Sequence, residues 1–203
     1  MFAQPSALEG GFARPVMDAQ AVFRTVMDAM ARPARVVPLN PMVTPPAPLS
    51  PAVAAIACTL FDAEADFWLD SRLASHGAVV DWLVFHTGAR SAPKPVDAAF
   101  ALVTDIATMP PLDRFAQGTQ EYPDRSTTLV MQLPSLAGGS EMTFQGPGIK
   151  GHASIAPRGL PASFADQWRA NGERFPRGVD VILADAEAVL CLPRSARLVN
   201  AEG

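Results

Sequence analysis

Gly146-Pro147-Gly148-Ile149-Lys150-Gly151 is a literal G-x-G-x-x-G, the spacing that lets a backbone approach a pyrophosphate in dinucleotide-binding folds. That chemistry needs a strand before the first glycine and a helix after the last, so that the helix N-terminus receives the phosphates. Glu141 to Gln145 suits the strand. His152 to Pro157 has no helical period and ends on a proline. Asp166 and Glu173 lie roughly twenty positions on, where a ribose-binding acid would stand, but on a predicted helix and in a turn. The segment therefore reads as a tight turn between two strands. Pro147 supplies the fixed φ of the first corner and Gly148 the positive φ of a type II second corner. A dinucleotide-dependent oxidoreductase is the weakest functional reading.

Other catalytic chemistry is sparse. His76, His86 and His152 have no metal-ligand spacing, and no Cys-x-x-Cys accompanies them. Gly138-Gly139-Ser140 lacks the nucleophile elbow of serine hydrolases. The two lysines are Lys94, between prolines, and Lys150, in the glycine-rich turn. Neither has the packed setting that depresses an amine pKa for Schiff-base chemistry. Cys58 and Cys191 each sit in an apolar run and read as buried free thiols of a reducing compartment. Asp62 and Glu64 fall in a turn and read as solvated. No catalytic residue, metal or cofactor is assigned.

The elements that would carry these residues alternate along the chain. A helix is predicted from about Asp18 to Ala31, with Val22, Phe23, Val26, Met27 and Met30 on one face, Asp18 as N-cap and Pro33 as its stop. Arg35 to Leu39 reads as a strand. Pro38, Pro41, Pro45, Pro46, Pro48 and Pro51 then make an extended strap across one domain, residues 1–203, because too few residues precede it for an independent core. Ser50-Pro51 caps a buried helix, Ala52 to Phe61. Phe67 to Leu69 is a strand, His76 to Phe85 a helix ended by Gly88, and Ala162 to Ala170 another helix. Further strands are expected at Ala98–Val103, Thr127–Leu133, Met142–Phe144, Val179–Leu183 and Val189–Leu192. This mixture predicts a layered α/β domain.

Hydrophobic residues make up 49% of the chain and charged residues 18%, so a large core is available and the surface is lightly charged. Such a surface suits a subunit of an assembly. The net charge is −4 with scattered basic residues, which argues against nucleic acid as a partner. The longest apolar run, Ala52 to Phe61, is too short to cross a membrane. Residues 1–10 show no basic stretch leading into an apolar one, so no secretory signal is expected and the cytoplasm is the expected location.

An ordered set of short segments resembles one family. It opens with Gly11-Phe12-Ala13-Arg14-Pro15-Val16, Ala19-Gln20-Ala21-Val22-Phe23-Arg24 and Met27-Asp28-Ala29-Met30-Ala31-Arg32-Pro33. Thr59-Leu60-Phe61-Asp62, Phe67-Trp68-Leu69 and Phe85-His86-Thr87-Gly88 follow. Gln117-Gly118-Thr119, Tyr122-Pro123-Asp124, Thr128-Leu129 and Gly146-Pro147-Gly148-Ile149 continue it, and Phe175-Pro176-Arg177-Gly178-Val179-Asp180 with Leu192-Pro193-Arg194 complete it. Together they resemble the PhnH family, the H component of the bacterial carbon–phosphorus lyase complex. Ala34 stands where that family commonly has glycine, which would disfavour a left-handed turn there.

The resemblance implies a three-layer α/β fold with a mixed sheet, similar to the pyridoxal-phosphate-dependent transferases but without the cofactor or its lysine. It implies a homodimer that joins the G, I and J components of the lyase in a core assembly. With the G, I and L components it would take part in joining a phosphonate to the ribose of ATP, releasing adenine and forming ribose 1-phosphonate 5-triphosphate. The later C–P cleavage would belong to the radical J component. The PhnH chain itself is expected to be non-catalytic. The competing expectation is a site for ATP or phosphonate. Arg24, Arg32 and Arg194 lie in the recognised motifs and could grip phosphate bidentately, while the Gly146–Gly148 turn offers backbone N–H groups. Structural ion pairs are the alternative use of those arginines.

Overall fold

Pro15 starts the first helix because a proline at the first helical position has a preset φ and no N–H to leave unpaired. The computed structural model describes residues 8–199, so most of the stretch read for a leader lies outside the described residues. Helix α1 spans Pro15–Ala31, with Arg14 at the N-cap. The expected cap, Asp18, is therefore one turn inside. Its buried carboxylate accepts from the Arg14 backbone N–H at 2.9 Å and from its guanidinium at 3.0 Å, closing the helix start from within.

The remaining elements follow with shifted ends. They are β1 (Val37–Pro38), α2 (Pro51–Leu60), β2 (Phe67–Leu69), α3 (Ser71–Ala74), α4 (Gly77–Thr87) and β3 (Phe100–Val103). Then come β4 (Thr128–Gln132), β5 (Met142–Gln145), β6 (Ala153–Ile155), α5 (Phe164–Glu173), β7 (Asp180–Ala184), β8 (Ala188–Leu192) and β9 (Arg197–Leu198). Ser50 caps α2, its Oγ accepting from the Val53 N–H at 3.3 Å. Gly88 ends α4 at φ 71°, a left-handed cap that glycine takes without a Cβ penalty. His76 sits at the N-cap of α4, not inside it. The strand expected over Arg35–Leu39 is only two residues long, because the proline run begins at once.

Six strands form a mixed sheet in the order β1-β8-β7-β4-β3-β2. β2, β3, β4 and β7 are parallel, while β8 and β1 are antiparallel additions. The inner strands read as unbroken apolar runs because both faces are covered. Leu102, Val130, Ile182 and Cys191 face one core, beneath α1, α2 and α4. Ala101, Met131, Leu183 and Leu190 face the other, which holds Phe144, Phe164 and Trp168. That second face is closed by α5 and an antiparallel sheet in the order β6-β5-β9. The sequence does not foretell β6 and β9, which are three and two residues long.

Between β1 and α2 the proline-rich segment is irregular, and it is anchored. Leu39, Val43 and Leu49 are buried in the helix-side core. The Gln132 side chain accepts from the Ser50 N–H at 2.8 Å and donates to the Pro48 carbonyl at 3.2 Å. At the sheet margins, β1 carries Pro38 and pairs only with β8, while β2 is covered by the segment through Arg90, Ser91 and Ala92.

Candidate functional site

The glycine-rich segment is a turn. The Ile149 N–H donates to the Gly146 carbonyl at 3.1 Å, and Gly148 has φ +81°, the type II arrangement expected for Pro147-Gly148. β5 enters and β6 leaves antiparallel, with Phe144 opposite Ala153. No helix follows, so the dinucleotide fingerprint is a hairpin connection. The turn lies against the end of α1: a Cβ on Gly148 would stand 2.2 Å from the Ala31 carbonyl oxygen and 2.8 Å from Pro33 Cδ.

This docking builds a cleft of about 650 Å³ between the segment after α1 and the hairpin. Ala34, Leu136, Ile149 and Ile155 form an apolar floor, and Arg32, Arg35, Lys150 and His152 stand at the rim. Ala34 reaches its place with φ 62°. The left-handed turn that alanine would disfavour is therefore kept, held by the Ala34 N–H donating to the Cys191 carbonyl at 3.1 Å and by burial of its methyl group. Arg32 is tethered to Asp28 at 2.7 Å on the exposed face of α1. Among the described residues, Arg35 and Lys150 have no carboxylate partner.

The sequence candidates are thus partly brought together. Arg32 and Gly148 share this cleft. Gly146 instead faces a neighbouring hollow with Pro147, Ser195 and Arg197. Arg24 is exposed on α1 and lines none of these clefts. Arg194 is elsewhere, in a largely buried fork with Asp180, and it also donates to the Pro123 carbonyl. The Arg194 backbone N–H completes the lock on the same carboxylate at 2.7 Å. Sequence reasoning missed Arg35 and His152 as site residues and left Lys150 out of the ligand set. The Arg-x-x-Arg and Lys-x-His spacings were visible, but not that a turn would bring them to one mouth.

Arg194→Lys is expected to lower stability by about 2 kcal/mol, because an ammonium cannot make the forked contact and leaves Asp180 under-satisfied. For a chain of this length that is a fall of roughly 4–8 °C in melting temperature. A thermal melt followed by circular dichroism checks it, and an unchanged midpoint would show the fork to be dispensable.

Of the remaining chemical groups, the two thiols and His86 are committed to packing. Burial pushes the Cys58 thiol up to about 12. Cys191 is raised too, by burial and then by the charge of Asp180. A thiolate nucleophile is not available from either near neutral pH. His86 Nε2 donates to the Leu8 carbonyl at 2.9 Å, and Trp82 Nε1 to that of Glu9 at 2.8 Å, pinning the N-terminal segment onto α4. Lys94 and Lys150 are both exposed. Among the described residues no group of three or more His, Cys, Asp or Glu is placed to hold a metal ion, and no helix is long and apolar enough to cross a membrane.

Comparison with known proteins agrees with the sequence motifs. The family model of the bacterial phosphonate metabolism protein (PhnH) matches residues 10–199. The alpha-D-ribose 1-methylphosphonate 5-triphosphate synthase subunit PhnH of Rhizobium meliloti (strain 1021) is 48% identical over 198 residues, covering 98% of both chains. A protein of Stutzerimonas stutzeri named "Putative C-P lyase subunit protein HtxG" is 30% identical over 185 residues, 91% of this chain and 87% of that one. With the motifs in order and the match running through every described element from α1 to β9, this chain belongs to the PhnH family of bacterial phosphonate metabolism proteins.

Proposed function

We propose that this chain is a non-catalytic subunit of a carbon–phosphorus lyase system, required with the G, I and L components to transfer the triphosphoribosyl group of ATP to a phosphonate. The observation that carries this reading is the near full-length match, at 48% identity, to a protein named for ribose 1-methylphosphonate 5-triphosphate synthesis. The side chains that could do chemistry support a non-catalytic role. Asp180 and Arg194 hold each other, the thiols are driven to their neutral form, and both lysines are solvated. In this reading the chain is one domain related to the pyridoxal-phosphate-dependent transferases, working in the cytoplasm without the cofactor. Its partners are a second copy of itself and the G, I and J components of the lyase. The outer face of α1 supports assembly, since Val16, Phe23 and Met27 recur along it with 81%, 46% and 48% of their surface exposed.

The test is reconstitution. A mixture of the G, I and L components with ATP and methylphosphonate is expected to release adenine only when this chain is added. Light scattering of the chain alone is expected to give the mass of a dimer. Adenine release at full rate without the chain would remove the assembly role.

A further inference from the structure

We infer that the cleft between the segment after α1 and the β5–β6 hairpin binds an organic polyphosphate, a small apolar or aromatic group carrying two or more phosphates. This goes beyond the assembly role and does not depend on it. The first reason is charge. The chain as a whole carries −4, yet Arg32, Arg35, Lys150 and His152 converge on one cleft whose lining contains no Asp or Glu. Unneutralised cations gathered on one mouth repel each other, which an anion relieves. Arg32 is already shared with Asp28 at 2.7 Å, so Arg35 and Lys150 carry the uncompensated charge. Two free cations, with a third partly committed, match a ligand of at least two negative charges better than a monocarboxylate.

The second reason is shape and polarity. A cleft of about 650 Å³ lies within the size range of small-molecule sites and is larger than a bare phosphate needs. Ala34, Leu136, Ile149 and Ile155 offer an apolar floor beneath the cationic rim. A ligand with a flat or apolar body uses the floor while its phosphates reach the rim. The third reason is the backbone. Among the described residues, the Lys150 N–H donates to no protein acceptor, so the turn has a backbone donor left over at a residue that lines this cleft. Arginine forks and backbone N–H groups are the donors that recur around phosphate.

The experiment is calorimetric titration of the full chain with ATP, sodium tripolyphosphate and methylphosphonate as probes, at low and at high salt. Saturable binding of ATP is expected, tighter than tripolyphosphate because the floor contributes, with methylphosphonate weakest and all three weakened by salt. Lys150→Glu and Arg35→Glu are each expected to weaken ATP at least tenfold, with Lys150→Gln and Arg35→Gln falling between those variants and the parent. Lys94→Glu alters the other lysine, which does not line the cleft, and is expected to leave ATP affinity within twofold. The altered side chains are exposed, and an unchanged melting temperature confirms that each variant is folded. No saturable ATP binding would overturn the inference. So would equal affinity for ATP and tripolyphosphate, which would mark a bare anion patch. Rim variants that bind ATP normally but fail to join the G, I and J components would overturn it as well, making the cleft a protein contact.

Discussion

Gly148→Ala is expected to lower the melting temperature by roughly 4–20 °C, corresponding to about 2–5 kcal/mol for a chain of this length. Two costs combine. At φ +81° a Cβ meets its own carbonyl neighbourhood, which costs about 1–2 kcal/mol for an L-residue. The new methyl would also stand 2.2 Å from the Ala31 carbonyl oxygen, so the turn and the end of α1 must part; such overpacking typically costs about 1–3 kcal/mol. Gly151→Ala is the internal control. Gly151 has φ +74° but nothing within 4 Å of the position a Cβ would take, so only the first cost applies. Parallel thermal melts separate the two, and equal losses would show that the turn does not lean on α1.

Asp70→Ala is expected to be the most damaging polar substitution, at about 3–5 kcal/mol. Asp70 follows β2, is 1% exposed, and accepts four hydrogen bonds. One oxygen takes the Leu73 N–H at 2.8 Å, capping α3. The other takes the Thr104 N–H at 2.5 Å, the Asp105 N–H at 2.7 Å and the Thr104 hydroxyl at 3.1 Å. Its loss strands three backbone donors where two parallel strands end, and each orphaned donor costs about 1–3 kcal/mol less whatever water can recover. Asp70→Asn keeps the shape and one acceptor, so it is expected to lose less. Urea denaturation of the two variants checks the order, and an Ala variant as stable as the parent would mean that water replaces the carboxylate in full.

The parts of the fold that were legible are those written in local chemistry. Ser50-Pro51 announced the start of α2, Gly88 the end of α4, and Pro147-Gly148 the hairpin turn, because each rests on a conformational preference carried by one or two residues. Asp18 misled for the opposite reason. A carboxylate before an apolar run is the usual N-cap, but Pro15 had already opened the helix, and Asp18 reaches back from within. β6 and β9 were invisible because, unlike the equally short but wholly apolar β2, Ala153-Ser154-Ile155 and Arg197-Leu198 carry no continuous apolar run, and their partners supply most of what holds them. The candidate site was legible only in halves. Arg32 and Gly148 carried motif signals, whereas Arg35, Lys150 and His152 join them only through the docking of a turn on a helix end more than a hundred residues away. Arg194 showed its type but not its tie to Asp180, since that ion pair bridges the entry to β7 and the exit of β8.

The closure of both margins of the six-stranded sheet has a consequence for how copies of this chain can meet one another. A free sheet margin is a template on which like chains stack into filaments. Here one margin is a two-residue strand ending in Pro38, which has no N–H to offer, and the other is roofed by the segment around Ser91. Strand addition along this sheet is therefore blocked, and any oligomer that uses it must be joined through side chains. Because side-chain surfaces discriminate between neighbours far better than bare backbone does, copies that meet at this sheet need a matching surface and do not stack strand to strand.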